Sequence, residues 1–396
     1  MTIILFDDSA RDSLLPLTYT RPVAALRIGI LTIAEKWAKY LEGEVSYLTQ
    51  AYLQDKFKKT TSPDNIFING SVCPDPPLLE SVVSLKEGEA LRQGEVTIAV
   101  RLSGSHASEF SLHSDFLQKL RTVWYPSQFV RIVHPEDIFL KNGQEIHRDF
   151  ELLTRNRVSA GLSATNTILG DAIFVEEGVL AECATFNTLQ GPVYLGKKSQ
   201  VWEGSLIRGP FSLGESSVVK MGAKIYPRTT IGPFCKVGGE VNNAVIQSYS
   251  SKGHEGFLGN AVLGEWCNIG ADSNNSNLKN NYDDVRLWDY TSRAMRNTGL
   301  QFCGLIMADH AKCGINTMFN TGTVTGVFAN VFGGGYPSHF VPDFSWGGAQ
   351  ATETYRLEKA FETAEKVFLR RNKIFDEVEK QILAKIFDLT KQFRNF

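Results

Sequence analysis

The sequence predicts three segments in series: an α/β domain, a parallel β-helix built of six-residue repeats, and a short run of C-terminal helices. Three observations predict this. Strand-like runs alternate with a helical pattern over residues 1–155. Aliphatic residues recur at every sixth position from 189 to 237, and beyond about residue 345 apolar residues fall at spacings of three and four. Alternating strands and helices imply a mostly parallel sheet with helices on its faces. A period of six fits neither a helix nor an ordinary strand, but it does fit one short strand per face of a three-sided coil.

In the first segment, residues 3–6, 45–49, 66–69 and 96–102 are short runs rich in β-branched and aromatic residues and read as strands. Ile30, Ala34, Trp37 and Leu41 between the first two of these make a helical stripe. Ligands of such sheets bind beyond the carboxyl ends of the strands, so the loop after Phe6 and the turn at Gly70 are the places to look.

The second segment, 156–345, carries the repeat. Leu189, Leu195, Val201, Ile207, Leu213, Val219, Ile225, Ile231 and Val237 keep the step unbroken, with Gly196, Gly214, Gly232 and Gly238 directly after four of them. The series returns as Phe257, Leu263 and Ile269, and again as Met307, Cys313, Phe319, Thr325 and Val331. The aliphatic residue is expected to fill the narrow interior and the small residue to turn the corner. A polar loop at 272–300 interrupts the period, and loops leaving a repetitive scaffold often carry binding. In the third segment, 346–396, Leu357, Phe361, Ala364 and Phe368 form one stripe, and Phe375, Val378, Ile382, Ile386, Leu389 and Phe393 a second. These helices are expected to cap the β-helix or to pack on a neighbouring subunit.

Composition excludes several classes. The formal charge of −2 gives no global field for nucleic acid or an anionic membrane, and no apolar run reaches the length of a membrane span. The start MTIILFDDSARDS has acids where a signal peptide would need a different pattern, so it reads as a first strand. The 6 cysteines (Cys73, Cys183, Cys235, Cys267, Cys303, Cys313) are scattered without a CxxC pair, which favours reduced thiols in the cytoplasm.

The chemistry-bearing stretch is SKGHEGFLGNAVLGEWCNIGAD, with His254 among glycines. A histidine on a turn is often no more than a solvated polar group, yet imidazole titrates near neutral pH and suits general-base work on an attacking amine. The stretch resembles K-x-x-H-x-x-Y-x-G-D-A of the bifunctional N-acetylglucosamine-1-phosphate uridylyltransferase/glucosamine-1-phosphate acetyltransferase family, with Lys252 two residues before His254 and Phe257 for the tyrosine. That family's N-I-G-A is Asn268-Ile269-Gly270-Ala271, its N-Y-D resembles Asn281-Tyr282-Asp283, and a later motif resembles the stretch from Ala308 to Ile315. Related sugar-1-phosphate nucleotidyltransferases with hexapeptide acyltransferase domains share the architecture.

The resemblance implies a left-handed β-helix, a homotrimer, acetyl-CoA as acyl donor, and an amino-sugar phosphate or its nucleotide as partner. It implies His254 as general base and Lys252, Phe257, Asn268, Asn281 and Tyr282 as substrate contacts. Ala271, Gly314, Ile315 and Gly333 would touch the coenzyme. Among the other histidines (His106, His113, His134, His147, His310, His339), His310 is the next candidate base.

The first segment resembles the family's nucleotidyltransferase half less closely. The glycines of its L-x-x-G-x-G-T-R opening are absent from ILFDDSARDSLLPLTYTRPVAALR. Arg11 would stand for the arginine and Arg21, before Pro22, for a downstream lysine, while Thr18 closes a stretch like L-x-P-x-T. Asn69-Gly70-Ser71 stands where the family has N-G-D, so a bound Mg²⁺ would need Asp7, Asp8 or Asp75 instead. Three readings follow: an acyltransferase joined to a nucleotidyltransferase, a nucleotidyltransferase whose β-helix only trimerises or regulates, or a binding protein without turnover.

Overall fold

The computed structural model describes residues 1–110, 117 and 119–396, and these group into two compact units. The first comprises 1–26 and 31–134, the second 27–30 and 135–396.

The first unit is built on a 6-stranded sheet. Its strands are β1 (Thr2–Phe6), β2 (Val45–Leu48), β3 (Asp64–Asn69), β4 (Glu89–Gln93), β5 (Val96–Ser103) and β6 (Arg121–Trp124), in the order β2-β1-β3-β5-β4-β6. Ile3, Ile4, Ile66, Phe67 and Ile68 bury both faces of β1 and β3. β1 pairs in parallel with β2 and β3, as the alternating pattern predicts. β5 does not: it runs antiparallel to both β3 and β4. A tight hairpin with Gly94 at φ 54 joins β4 to β5, and a connection that short forces antiparallel pairing. Helix α1 (Ile33–Leu41) starts at Thr32, whose side chain accepts from the Glu35 amide in a capping box, so Ile30 lies before it. Its stripe buries Ala34 and Trp37, and the Trp37 indole N–H donates to Val72 O at 2.9 Å.

The second unit is the parallel β-helix with three strand ladders, of the left-handed kind. On face one, Leu195, Leu213, Ile231, Ile246, Leu263 and Met307 stack in register. On face two, Val201, Val219, Val237, Lys252, Ile269 and Cys313 do the same. Face three stacks Phe186, Ile207, Ile225, Val241 and Leu258. All of these point into one buried interior.

Two expected members of the repeat fall elsewhere. Leu189 is 73% exposed on a turn, because the side between Phe186 and Leu195 is longer than six residues. Phe257 is half-buried and Leu258 takes the interior position instead. The insertion leaves after Asn275 and rejoins at Ile306, and it contains a hairpin of Arg286–Asp289 and Ala294–Asn297.

Helix α2 (Pro135–Thr154) groups with the β-helix, not with the sheet segment to which 1–155 assigned it. Asn142, fully buried, donates to Arg228 O at 2.8 Å and to Thr230 Oγ1 at 3.1 Å. Gly143 faces Arg228 so closely that a Cβ would come within 2.6 Å of its Cγ. The C-terminal helices α3 (Leu357–Leu369) and α4 (Glu377–Leu389) bury Ala360, Ala364, Phe368, Ile382 and Ile386, whereas Leu389 is exposed.

Candidate functional site

Each corner of a β-helix needs a residue whose backbone turns sharply. At the corner entering face two, Phe234, Tyr249, Trp266, His310, Phe328 and Phe344 all adopt positive φ between 55 and 62. A bulky residue in that conformation is strained by about 1–2 kcal/mol. Their rings stack coil upon coil, with centroids 5.0, 4.3, 6.3, 4.4 and 5.5 Å apart. Each stacked pair contributes about 0.5–1.5 kcal/mol, which offsets the strain. Phe368 of α3 lies on Trp266 at 4.2 Å and fixes that helix to the corner. His310 is buried inside this stack, so the second candidate base is a packing residue.

Between this corner and the next lies the outer side of face two. Lys236, Ser251, Asn268 and Lys312 occupy successive rungs and point outward. With Tyr249, Trp266, Val367 of α3, and Arg370 and Arg371 just after its end they line a groove of about 420 Å³. Four of its side chains are cationic. Burial, then Arg371, Lys220 and Arg370, lower the Lys236 pKa, and burial lowers that of Lys312 to about 8. Like charges gathered in a partly enclosed groove favour an anionic occupant.

The corner leaving face two holds the motif histidine. His254 is exposed in the turn 253–256, three residues after Ser251 of the groove. Ala271, Gly314, Ile315 and Gly333 lie on later turns of this same corner, so the expected coenzyme contacts share one edge with the expected base. Rung bonds tie the edge together, Asp272 N to Glu255 O at 3.1 Å and Asn316 N to Ala271 O at 2.8 Å. Ile315 is 71% exposed, and nothing crowds the α-carbon of Gly333. Asn268 is exposed beside this edge.

Lys252 departs from its expected role. It is 1% exposed and points into the β-helix, where its ammonium donates to the carbonyls of His254 and Glu255, so it is not a substrate contact. Phe257 lies half-buried on the next strand with its ring against Gly259. Asn281 and Tyr282 sit exposed on the insertion, bonded to its own residues: Asn281 to Asp283 at 2.5 Å and Tyr282 O from Gln301 at 3.1 Å. His113 lies outside the described residues.

In the first unit the carboxyl ends of β1 and β3 gather a polar cluster. Asn69 donates to Asp8 at 2.8 Å, Ser71 donates to Asn69 Oδ1 at 2.7 Å, and Arg131 bonds Ser71 at 2.9 Å while pairing with Asp8. Gly70 is needed for closeness: its N–H donates to Phe6 O at 2.7 Å, and a Cβ would stand 3.2 Å from Ala24. Sequence reasoning missed Arg131, and only the register of its short strand against Val72–Cys73 would have pointed to it.

Arg11 and Thr18 face inward instead of toward a phosphate. Thr18 is fully buried and donates to Arg11 O at 2.6 Å, and Arg11 donates to Tyr52 at 2.8 Å. Arg21 is likewise buried. Asp7 accepts from Thr49 and Val23, and burial raises its pKa to about 6. Asp8 is taken by Arg131 and Asn69, and Asp75 caps the Leu78 amide. Among the described residues no group of three or more His, Cys, Asp or Glu gathers as a metal site. Committed to these protein partners, the carboxylates do not fit Mg²⁺.

Residues 3–158 match the family model described as sugar nucleotidyl transferase. The chain is 30% identical over 135 residues to the bifunctional protein GlmU of Rippkaea orientalis, covering 30% of this chain and 28% of that protein. It is 30% identical over 183 residues to GlmU of Thermus thermophilus (40% and 39%) and 26% identical over 192 residues to that of Rhodococcus opacus (48% and 31%). The matched part thus spans less than two fifths of each of these relatives. A solved UDP-N-acetylglucosamine acyltransferase from Arabidopsis is 16% identical, covers 59% of this chain and 94% of its own, and superposes with a TM-score of only 0.25. The chain therefore joins a segment matching the sugar nucleotidyl transferase family to a hexapeptide β-helix, and the resemblance to the bifunctional uridylyltransferase/acetyltransferase family is borne out.

Proposed function

We propose that the chain is a transferase that moves an acetyl group from coenzyme A to the amine of an amino-sugar phosphate, with nucleotidyl transfer to a sugar 1-phosphate assigned to its first unit. The observation that carries this reading is an exposed histidine, His254, in the turn that directly follows the strand of Ser251, a lining residue of the groove that also holds Lys236, Lys312, Arg370 and Arg371. Both substrates are phosphorylated, and the four cations suit their phosphates.

The chemistry needs few groups. The sugar amine attacks the thioester carbonyl, forming a C–N bond, and His254 takes the proton that the amine releases. Backbone amides along the edge suit the oxyanion of the tetrahedral intermediate. Its collapse breaks the C–S bond, and the thiolate leaves and is protonated. Asn268, exposed at the groove, is assigned to the sugar phosphate, and Ala271, Gly314, Ile315 and Gly333 to the coenzyme.

The commitment of Asp7, Asp8 and Asp75 favours a second reading of the first unit, in which it binds a nucleotide or sugar phosphate without transferring it. By the family resemblance we assign a homotrimer. The free cysteines suit the cytoplasm, and no helix among the described residues is long and apolar enough to cross a membrane. Purified protein screened against hexosamine 1-phosphates with acetyl-CoA and each nucleoside triphosphate tests the whole reading. Thiol release is the expected outcome; no thiol release with any acceptor would overturn it.

A further inference from the structure

Every other rung of face two near the motif puts a small apolar side chain into the β-helix interior: Val219 and Val237 below, Ile269 and Cys313 above. The rung at Lys252 puts an ammonium there. A methylene chain ending in a methyl group would satisfy packing, whereas a buried ammonium is unfavourable unless hydrogen-bonded. Here both acceptors are corner carbonyls, those of His254 and of Glu255 at 3.2 Å. The corner is tight on its other sides as well. A Cβ on Gly239 would stand 2.8 Å from His254 O, and one on Gly256 2.2 Å from Ser273 O.

We infer that Lys252 is a positioning residue that holds the His254 turn from inside the β-helix and so fixes the imidazole at the groove edge. The inference rests on the acyl-transfer reading for its effect on rate, but the tether itself does not. Burial lowers the Lys252 pKa to about 8, with Glu255 and Asp272 holding the proton on, Lys224 opposing it and Cys313 facing it from the next coil. A deprotonated amine still donates, but weakly, so the tether loosens above that pH.

The test uses full-length K252M and K252R with two readouts. K252M suits an apolar interior and is expected to keep the wild-type melting temperature or exceed it. Hydrogen exchange of 253–256, followed by mass spectrometry, is expected to quicken about tenfold or more in K252M as the turn opens locally, and to be largely restored in K252R. In acyl transfer, K252M is expected to lose about 10- to 100-fold in kcat with KM little changed. Unchanged exchange at 253–256 in a folded K252M would overturn the tether. If exchange quickens but the wild type transfers no acyl group, the tether stands and the acyl-transfer reading falls.

Discussion

A single buried carboxylate shows how residue-level electrostatics becomes measurable. Asp343 is fully buried, accepting from Tyr290 at 2.8 Å and from the Val327 amide at 2.6 Å, and burial raises its pKa to about 6. In the unfolded chain such a group titrates near 4. The folded state therefore holds a proton that the unfolded state has lost between those values, and stability on this account falls as pH rises from about 4 through 6. D343N lacks this titration. Its melting temperature relative to wild type is expected to be more favourable at pH 7.5 than at pH 4.5, and an equal difference at both would contradict the assignment. Legibility at this scale was uneven. His254 stood out because its neighbours form a motif. Arg131 did not, being 123 residues from the Asp8 it pairs with. The inward turn of Lys252 was hidden because the coil after Val237 is shorter than the preceding ones, so counting by six loses the register there.

At the scale of elements, the stacked corner connects the β-helix to α3. Trp266 is 8% exposed and lies between Tyr249 at 4.3 Å and Phe368 at 4.2 Å. W266A removes a large buried ring from both contacts and is expected to destabilise the second unit by about 3–5 kcal/mol. Protease cleavage near 369–376 should also quicken, since Phe368 loses its seat. Unfolding in denaturant and limited proteolysis check both, and a near-neutral variant would show that α3 is held elsewhere. The period of six was legible because each rung repeats the same demand for one interior aliphatic residue. It failed at Leu189, where a longer side inserts a turn, and at Phe257, where the interior position moves to Leu258. The reversal of β5 was signalled by Gly94, whose positive φ allows a two-strand turn too short for a parallel crossover.

For the whole molecule, architecture and site follow from different kinds of signal. The order of sheet, β-helix and helices can be read from periods alone, whereas α2 joins the β-helix through Asn142 and Gly143, contacts that no local pattern announces. The proposed site joins residues from three stretches: the turn at 253–256, the rungs ending at Lys312, and Arg370 and Arg371 just after α3. The C-terminal segment was expected to cap the β-helix or pack on a neighbouring subunit, yet its Arg370 and Arg371 also line the cationic groove. The account stands or falls on the edge imidazole. The most direct measurement is thiol release from acetyl-CoA with glucosamine 1-phosphate by wild type and H254A, with melting temperatures taken on the same samples. His254 is exposed, so H254A should melt as wild type does while kcat falls by about 100-fold or more. Equal thiol release by a fully folded H254A would contradict the account.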